Sequence, residues 1–305
     1  MPKFILLLFF PILIGWADEY QPLRKLFDFD AYEARILSLT NLPGIKVFSI
    51  GKSHGGRNLW MIEITPRQSS DYNVLFLGSA HPIEWHAQEI PLRLAEYLAT
   101  NRQNLRATCY VLPIFNPDGF AYMRVIPVFY ASNRKNRYFP QEEKRPHVYT
   151  AGVDLNRNFS YHWQKTSSDP THPYYSGSAP MSEPETQALD RFVSSVKLSY
   201  VISFHTPGNV VQYPWGYTKS PQTNTHLIAF AHWMASNIGR GYRARQDSAN
   251  YLKPGCEIDW FYGEKKIPAI RLEISKKLID PDLEDYPAIQ NAIKAFLCLP
   301  NPHLP

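Results

Sequence analysis

Asn73-Val-Leu-Phe-Leu-Gly-Ser-Ala80 runs directly into His81-Pro-Ile-Glu84. The first part is apolar and closes on small residues, which reads as a buried strand. Val201-Ile-Ser-Phe204 delivers His205 in the same way. Two apolar strands that end on polar side chains point to an α/β protein, where ligands sit beyond the carboxyl ends of parallel strands. A His-x-x-Glu pair is common by chance, as a loop histidine beside a surface glutamate. Joined by a third donor from a distant strand, it becomes the set a catalytic zinc needs. Zinc accepts imidazole nitrogen and carboxylate oxygen, and three protein ligands leave a fourth position for water.

Working outward, strand-like runs at 45–49, 59–65, 74–77, 107–115, 200–204 and 269–274 alternate with helix-like segments at 87–101, 182–196, 226–238 and 287–297. The alternation predicts an α/β fold, a mixed, mainly parallel twisted sheet with helices on both faces. Ser182 is expected to cap its helix, with Pro184 in the first turn and Glu185 completing a capping box. The segments 130–150 and 161–181 are long and rich in Pro, Ser and charge, and are expected to wall a binding cleft.

Lys3, the apolar run 4–14 and the small Ala17 before Asp18 and Glu19 fit a secretory signal over 1–17. The remaining 18–305 is expected to form one catalytic domain, secreted or periplasmic, with no stable membrane span after cleavage. The apolar run is shorter than the roughly 18 residues of a spanning helix and contains Pro11. Retention as an anchor is the alternative. The net charge of +5 is spread along the chain. A nucleic-acid binder would gather its Lys and Arg on one face, so no nucleic-acid partner is expected. Three cysteines, Cys109, Cys256 and Cys298, make no disulfide framework, and Cys109 reads as a small core residue.

Four further segments complete the pattern. Asn116-Pro-Asp-Gly119 has turn chemistry. Arg134-Lys-Asn-Arg137 offers guanidinium groups, and Gly152-Val-Asp-Leu-Asn-Arg-Asn-Phe159 adds a carboxylate, amides and another guanidinium. Ile267-Pro-Ala-Ile-Arg-Leu-Glu273 is a strand with one acid among apolar residues. Burial should raise the pKa of that acid, which suits a general base or acid near neutrality.

In this order and spacing the segments resemble the zinc carboxypeptidase family of the carboxypeptidase A type, over about Gly51 to Ser275. The resemblance implies one Zn2+ bound by His81, Glu84 and His205, with Asp154 orienting the first histidine. It implies Glu273 as general acid/base and Arg134 as the group that meets the oxyanion. Asn156 and Arg157 would grip a terminal carboxylate, Tyr251 would close over substrate, and Arg57 would line an outer subsite. Ile258 falls at the base of the specificity pocket, where Glu257 could meet an amino group and Cys256 could line the wall. Taken alone, Arg157 could instead form a structural ion pair with Asp154 or Asp118, and Tyr251 could be a surface aromatic.

The sequence departs from the family pattern at Ile83, where an Arg or Asn is usual, and at Thr206-Pro-Gly208. Lys253-Pro-Gly255 and the 267–273 strand look more like murein-peptide amidases, which cut the bond between D-glutamate and diaminopimelate. The resemblance therefore implies an exported metallocarboxypeptidase acting on peptides with a free C-terminal carboxylate. The alternative is the same chemistry aimed at muropeptides. A non-catalytic peptide-binding envelope protein is a third reading, but it would be expected to have lost a zinc ligand or the catalytic acid.

Overall fold

A computed structural model describes residues 22–124, 134–136 and 151–300. The proposed signal 1–17, Arg137 and nearly all of the 130–150 segment lie outside the described residues. Eight strands form one sheet in the order β1-β2-β4-β3-β5-β8-β6-β7. They are β1 (Ile45–Lys52), β2 (Asn58–Ile64), β3 (Tyr72–Leu77), β4 (Ala107–Leu112), β5 (Tyr200–His205), β6 (Val210–Tyr213), β7 (Arg243–Gln246) and β8 (Ala269–Glu273). The four central strands β4, β3, β5 and β8 are parallel. β1, β2 and β6 pair antiparallel to their neighbours, and β7 runs parallel to β6.

The central strands are apolar on both faces because both faces are covered. On β3, Val74 and Phe76 join one core cluster while Leu75 and Leu77 join the other. The first cluster takes in α1 (Phe29–Ser38), α2 (His86–Thr100), α5 (Thr225–Ile238) and α7 (Tyr286–Leu297). The second takes in α4 (Pro184–Ser195) and α6 (Glu257–Gly263). A fully buried side chain such as Phe76 or Phe204 contributes about 2 kcal/mol through removal from water. Among the described residues no helix is long and apolar enough to cross a membrane.

Local chemistry corrects two expectations. Asn116 does not close a simple turn. It caps the short helix α3 (Pro117–Met123), accepting from the Gly119 N–H at 3.0 Å. Its amide also donates to the Ala80 carbonyl at 2.8 Å, which ties α3 to the segment entering His81. Ser182 does not cap α4 either. Glu183 occupies the N-cap without a side-chain bond, and Pro184 holds the first turn as expected.

The residue that secures this region is Asn158. Its buried amide donates to the carbonyls of Ser176 and Ala179 and to Ser182 Oγ, at 2.9, 3.1 and 2.9 Å. Its oxygen accepts from Glu183 N and Thr186 Oγ1, at 3.2 and 2.8 Å. Buried polar groups left unpaired cost about 1–3 kcal/mol each. Asn158→Ala is therefore expected to destabilise the protein by about 3 kcal/mol. Thermal and denaturant unfolding of the variant measure this; a change below about 0.5 kcal/mol would show that the network is dispensable.

Candidate metal centre

β5 and β8 are neighbours in register, so their last residues, His205 and Glu273, stand directly opposite one another. His81 arrives four residues beyond β3, the strand on the other side of β5. Gly208 packs against the acid so closely that a Cβ there would come 2.7 Å from the Cβ of Glu273. Three adjacent parallel strands thus feed one point at the head of the sheet.

His81, Glu84 and His205 are all buried, and one donor atom from each lies within 4.8 Å of the others. Glu84 Oε1 is 2.7 Å from His81 Nδ1, and Oε2 is 2.9 Å from His205 Nδ1. Burial works against the carboxylate, yet the two imidazoles outweigh it and hold Glu84 well below the usual carboxylate range. Burial likewise disfavours a charged His205, but Glu84 and Glu257 push it up to about 9. Ser79 sits beneath the group, donating to Glu84 Oε2 at 2.7 Å and accepting from the His81 N–H at 2.8 Å.

The ring nitrogens that face away from Glu84 have their own partners. His81 Nε2 is 3.1 Å from Asp154 Oδ1, and His205 Nε2 is 3.3 Å from Glu257 Oε1. A carboxylate on each Nε2 fixes the Nε2–H tautomer and leaves the Nδ1 lone pair for a metal. Arg134 NH2 also lies 2.8 Å from His81 Nε2. One ring nitrogen cannot donate and accept at once, and a metal on Nδ1 would select Asp154 as the partner. Two imidazole nitrogens and a carboxylate oxygen, buried and convergent, fit zinc.

A cleft of about 730 Å³ opens over this group. Arg134, Asn156, Arg157, Tyr251 and Glu273 line it. Arg134 Nε donates to Asp154 Oδ2 at 2.8 Å, while its neighbours Lys135 and Asn136 are buried anchors. Its guanidinium stacks over the Tyr174 ring at 4.7 Å, and that of Arg157 does so at 5.5 Å. The 161–181 segment, expected to wall the cleft, does not line it; through Tyr174 it packs on the two arginines from outside and lines a smaller adjoining pocket. Arg157 forms neither of the ion pairs considered for it: Arg57 and Ser53 occupy Asp118, and Arg134 and His81 occupy Asp154. Asn156 Oδ1 accepts from the Glu257 N–H at 3.1 Å. Burial raises the pKa of Glu273 against the opposing pull of His205 and Arg271, the direction expected of an acid placed in such a strand.

Other residues stand elsewhere. Ile258 is fully buried in the core under α6 and does not line the cleft. Arg271 and Gln212 are among the residues that do line it. Cys256 is buried beside Ile258, and Glu257 is already bound by Arg271 through two bonds of 2.7 and 2.8 Å. Arg57 pairs with Asp118 at 2.7 Å and lies over Phe29, outside the cleft lining. Sequence reasoning overlooked Ser79, Arg271, Gln212 and Arg245. For Arg271 a signal existed: it is two residues before Glu273 on one strand and so shares its face.

A family model described as zinc carboxypeptidase matches residues 38–289. The chain is 27% identical over 239 residues to zinc carboxypeptidase A 1 of Anopheles gambiae, covering 73% of this chain and 53% of that protein. It thus spans about half the length of that relative. A zinc carboxypeptidase of Saccharothrix mutabilis subsp. capreolus is 30% identical over 282 residues, covering 80% of this chain and 60% of the relative. Among solved structures, carboxypeptidase A from Helicoverpa armigera has the same fold, with a TM-score of 0.74 and 21% identity over 86% of this chain and 71% of that one. A murein-tripeptide amidase from Escherichia coli O157 shares it less closely, with a TM-score of 0.54 and 22% identity over 82% and 91%. With its model matched along most of the sequence and its fold shared, the zinc carboxypeptidase family, a group of zinc-dependent metallopeptidases, is the one to which this chain belongs.

Proposed function

We propose that this chain is an exported metallocarboxypeptidase that hydrolyses the last peptide bond of substrates with a free C-terminal carboxylate. The observation that carries the reading is the register pairing of His205 with Glu273 beside His81 and Glu84, in a cleft that also presents Arg157. In this reading His81, Glu84 and His205 hold the zinc. The apolar segment after Lys3 supports export.

Zinc bound there would supply a water with a pKa lowered to about 7 and polarise the scissile carbonyl. Glu273 would accept a proton as the water oxygen bonds to the carbonyl carbon. It would pass that proton to the amine nitrogen as the C–N bond breaks, leaving an acid and a free amine. Arg134 would donate to the oxygen that gains charge, an effect typically worth about 3 kcal/mol. Arg157, which has no carboxylate partner among the described residues, would take the substrate's terminal carboxylate bidentately and fix the scissile bond. Tyr251, 45% exposed at the rim, is free to cover it. The same chemistry directed at muropeptides is the second reading, favoured by the cationic side chains around the residue pocket.

Two outcomes test this proposal. Purified protein should carry one zinc per chain by elemental analysis, lose turnover of N-blocked dipeptides in chelator and regain it with added zinc. Protein that turns over fully without metal would refute the reading. Separately, Glu273→Gln should keep its zinc and lose about 10³-fold or more in kcat. A Glu273→Gln enzyme within tenfold of wild type would remove Glu273 from the proton transfer.

A further inference from the structure

The cleft lining carries six cationic side chains, Arg134, Arg157, Arg245, Lys253, Arg271 and Lys277. Four are already paired. Arg271 is bound by Glu257 and by Asp247, the latter at 2.9 and 3.0 Å, with Gln212 Oε1 at 3.3 Å. Lys253 is bound by Asp247, Arg134 by Asp154, and Lys277 by Asp280 and Glu284. Two guanidinium groups are left over. Among the described residues no carboxylate lies within 4.0 Å of Arg157 or Arg245.

Arg245 is the less expected of the two, because its Nε is buried and has no hydrogen-bond partner among the described residues. A buried guanidinium N–H without an acceptor is costly and calls for one. The sheet explains where it points. Ser203, Arg271, Gln212 and Arg245 stand opposite one another on β5, β8, β6 and β7, and such cross-strand partners share a face. Two residues along lies the parallel row of His205, Glu273, Val210 and Arg243. The Arg271–Gln212–Arg245 row is thus a floor about 7 Å below the reacting row, running about 10 Å across two strand spacings.

We propose that the residue released from the substrate carries two carboxylates, its α-carboxylate on Arg157 and its side-chain carboxylate on Arg245. This rests on the carboxypeptidase reading and names its substrate class. An aliphatic or aromatic side chain would cover the guanidinium with hydrocarbon and leave Nε unpaired. A lysine side chain would bring like charge against Arg245. Both a C-terminal glutamate and the distal carboxylate of a C-terminal diaminopimelate meet the requirement, and the two differ in reach.

The test is kcat/KM of the full chain on N-blocked dipeptides ending in Glu, 2-aminoadipate, Leu or Lys, together with a γ-D-glutamyl-diaminopimelate peptide. A dicarboxylate-ended substrate should be preferred over the Leu-ended one by at least about tenfold, and the best of the series gives the length. Arg245→Met should collapse that ratio to about one or below, and Arg245→Lys should restore part of it. Equal losses on Glu-ended and Leu-ended peptides in Arg245→Met, or a wild-type preference for Leu, would overturn the proposal. Should no peptide be turned over, the carboxypeptidase reading fails by itself. Calorimetric binding of the Glu-ended against the Leu-ended peptide then decides whether Arg245 selects a carboxylate. Circular dichroism of both variants separates lost selectivity from lost fold.

Discussion

Glu84 is a carboxylate taken out of water and held between two imidazoles, and the head of the sheet is organised around it. A lone buried anion would cost several kcal/mol, so the charge persists only because His81, His205 and Ser79 meet it together. Each imidazole is in turn held from behind by a second acid, Asp154 or Glu257. Those acids are themselves bound by Arg134 and Arg271. The result is a layered alternation of charge, from Glu84 through the imidazoles to the outer carboxylates and on to the guanidinium groups. Removing any layer would leave the next one buried and unpaired.

That alternation reaches from the metal centre to the pocket floor without a break. Arg271 links the two, since Glu257 behind His205 and Asp247 beneath Lys253 are both its partners. The candidate metal group and the proposed selectivity pocket would therefore share one buried network. A substitution at Arg271 would disturb both at once, whereas Arg245 stands at the end of the row, on the edge strand β7.

Much of the fold was legible from the chain because β3, β5 and β8 are mainly apolar runs that lead into polar residues. The helices α2, α5 and α7 were legible through helical spacing, to within a residue or two of their ends. β6 and β7 were not: each is only four residues long, and β7 is largely polar, with Arg243, Arg245 and Gln246. α6 was hidden for the opposite reason: it begins with Glu257 and Asp259, acids that are buried only because tertiary partners neutralise or bind them. His81, Glu84, His205, Glu273, Arg134, Asn156, Arg157 and Tyr251, scattered along the chain, line one cleft. Ile258 and Arg57 do not, and placing them needs the path of α6 and the ion pair with Asp118. The pocket floor was missed as a unit because its members come from β8, β6, β7 and the turn before α6, and only pairing across the sheet makes them neighbours.

X-ray absorption at the zinc edge of the purified protein tests the central claim most directly. Coordination by His81, Glu84 and His205 predicts a first shell of nitrogen and oxygen only, at about 2.0–2.1 Å, with the outer-shell signature of two imidazoles. A shell containing sulfur at about 2.3 Å, or one with fewer than two imidazoles, would contradict it.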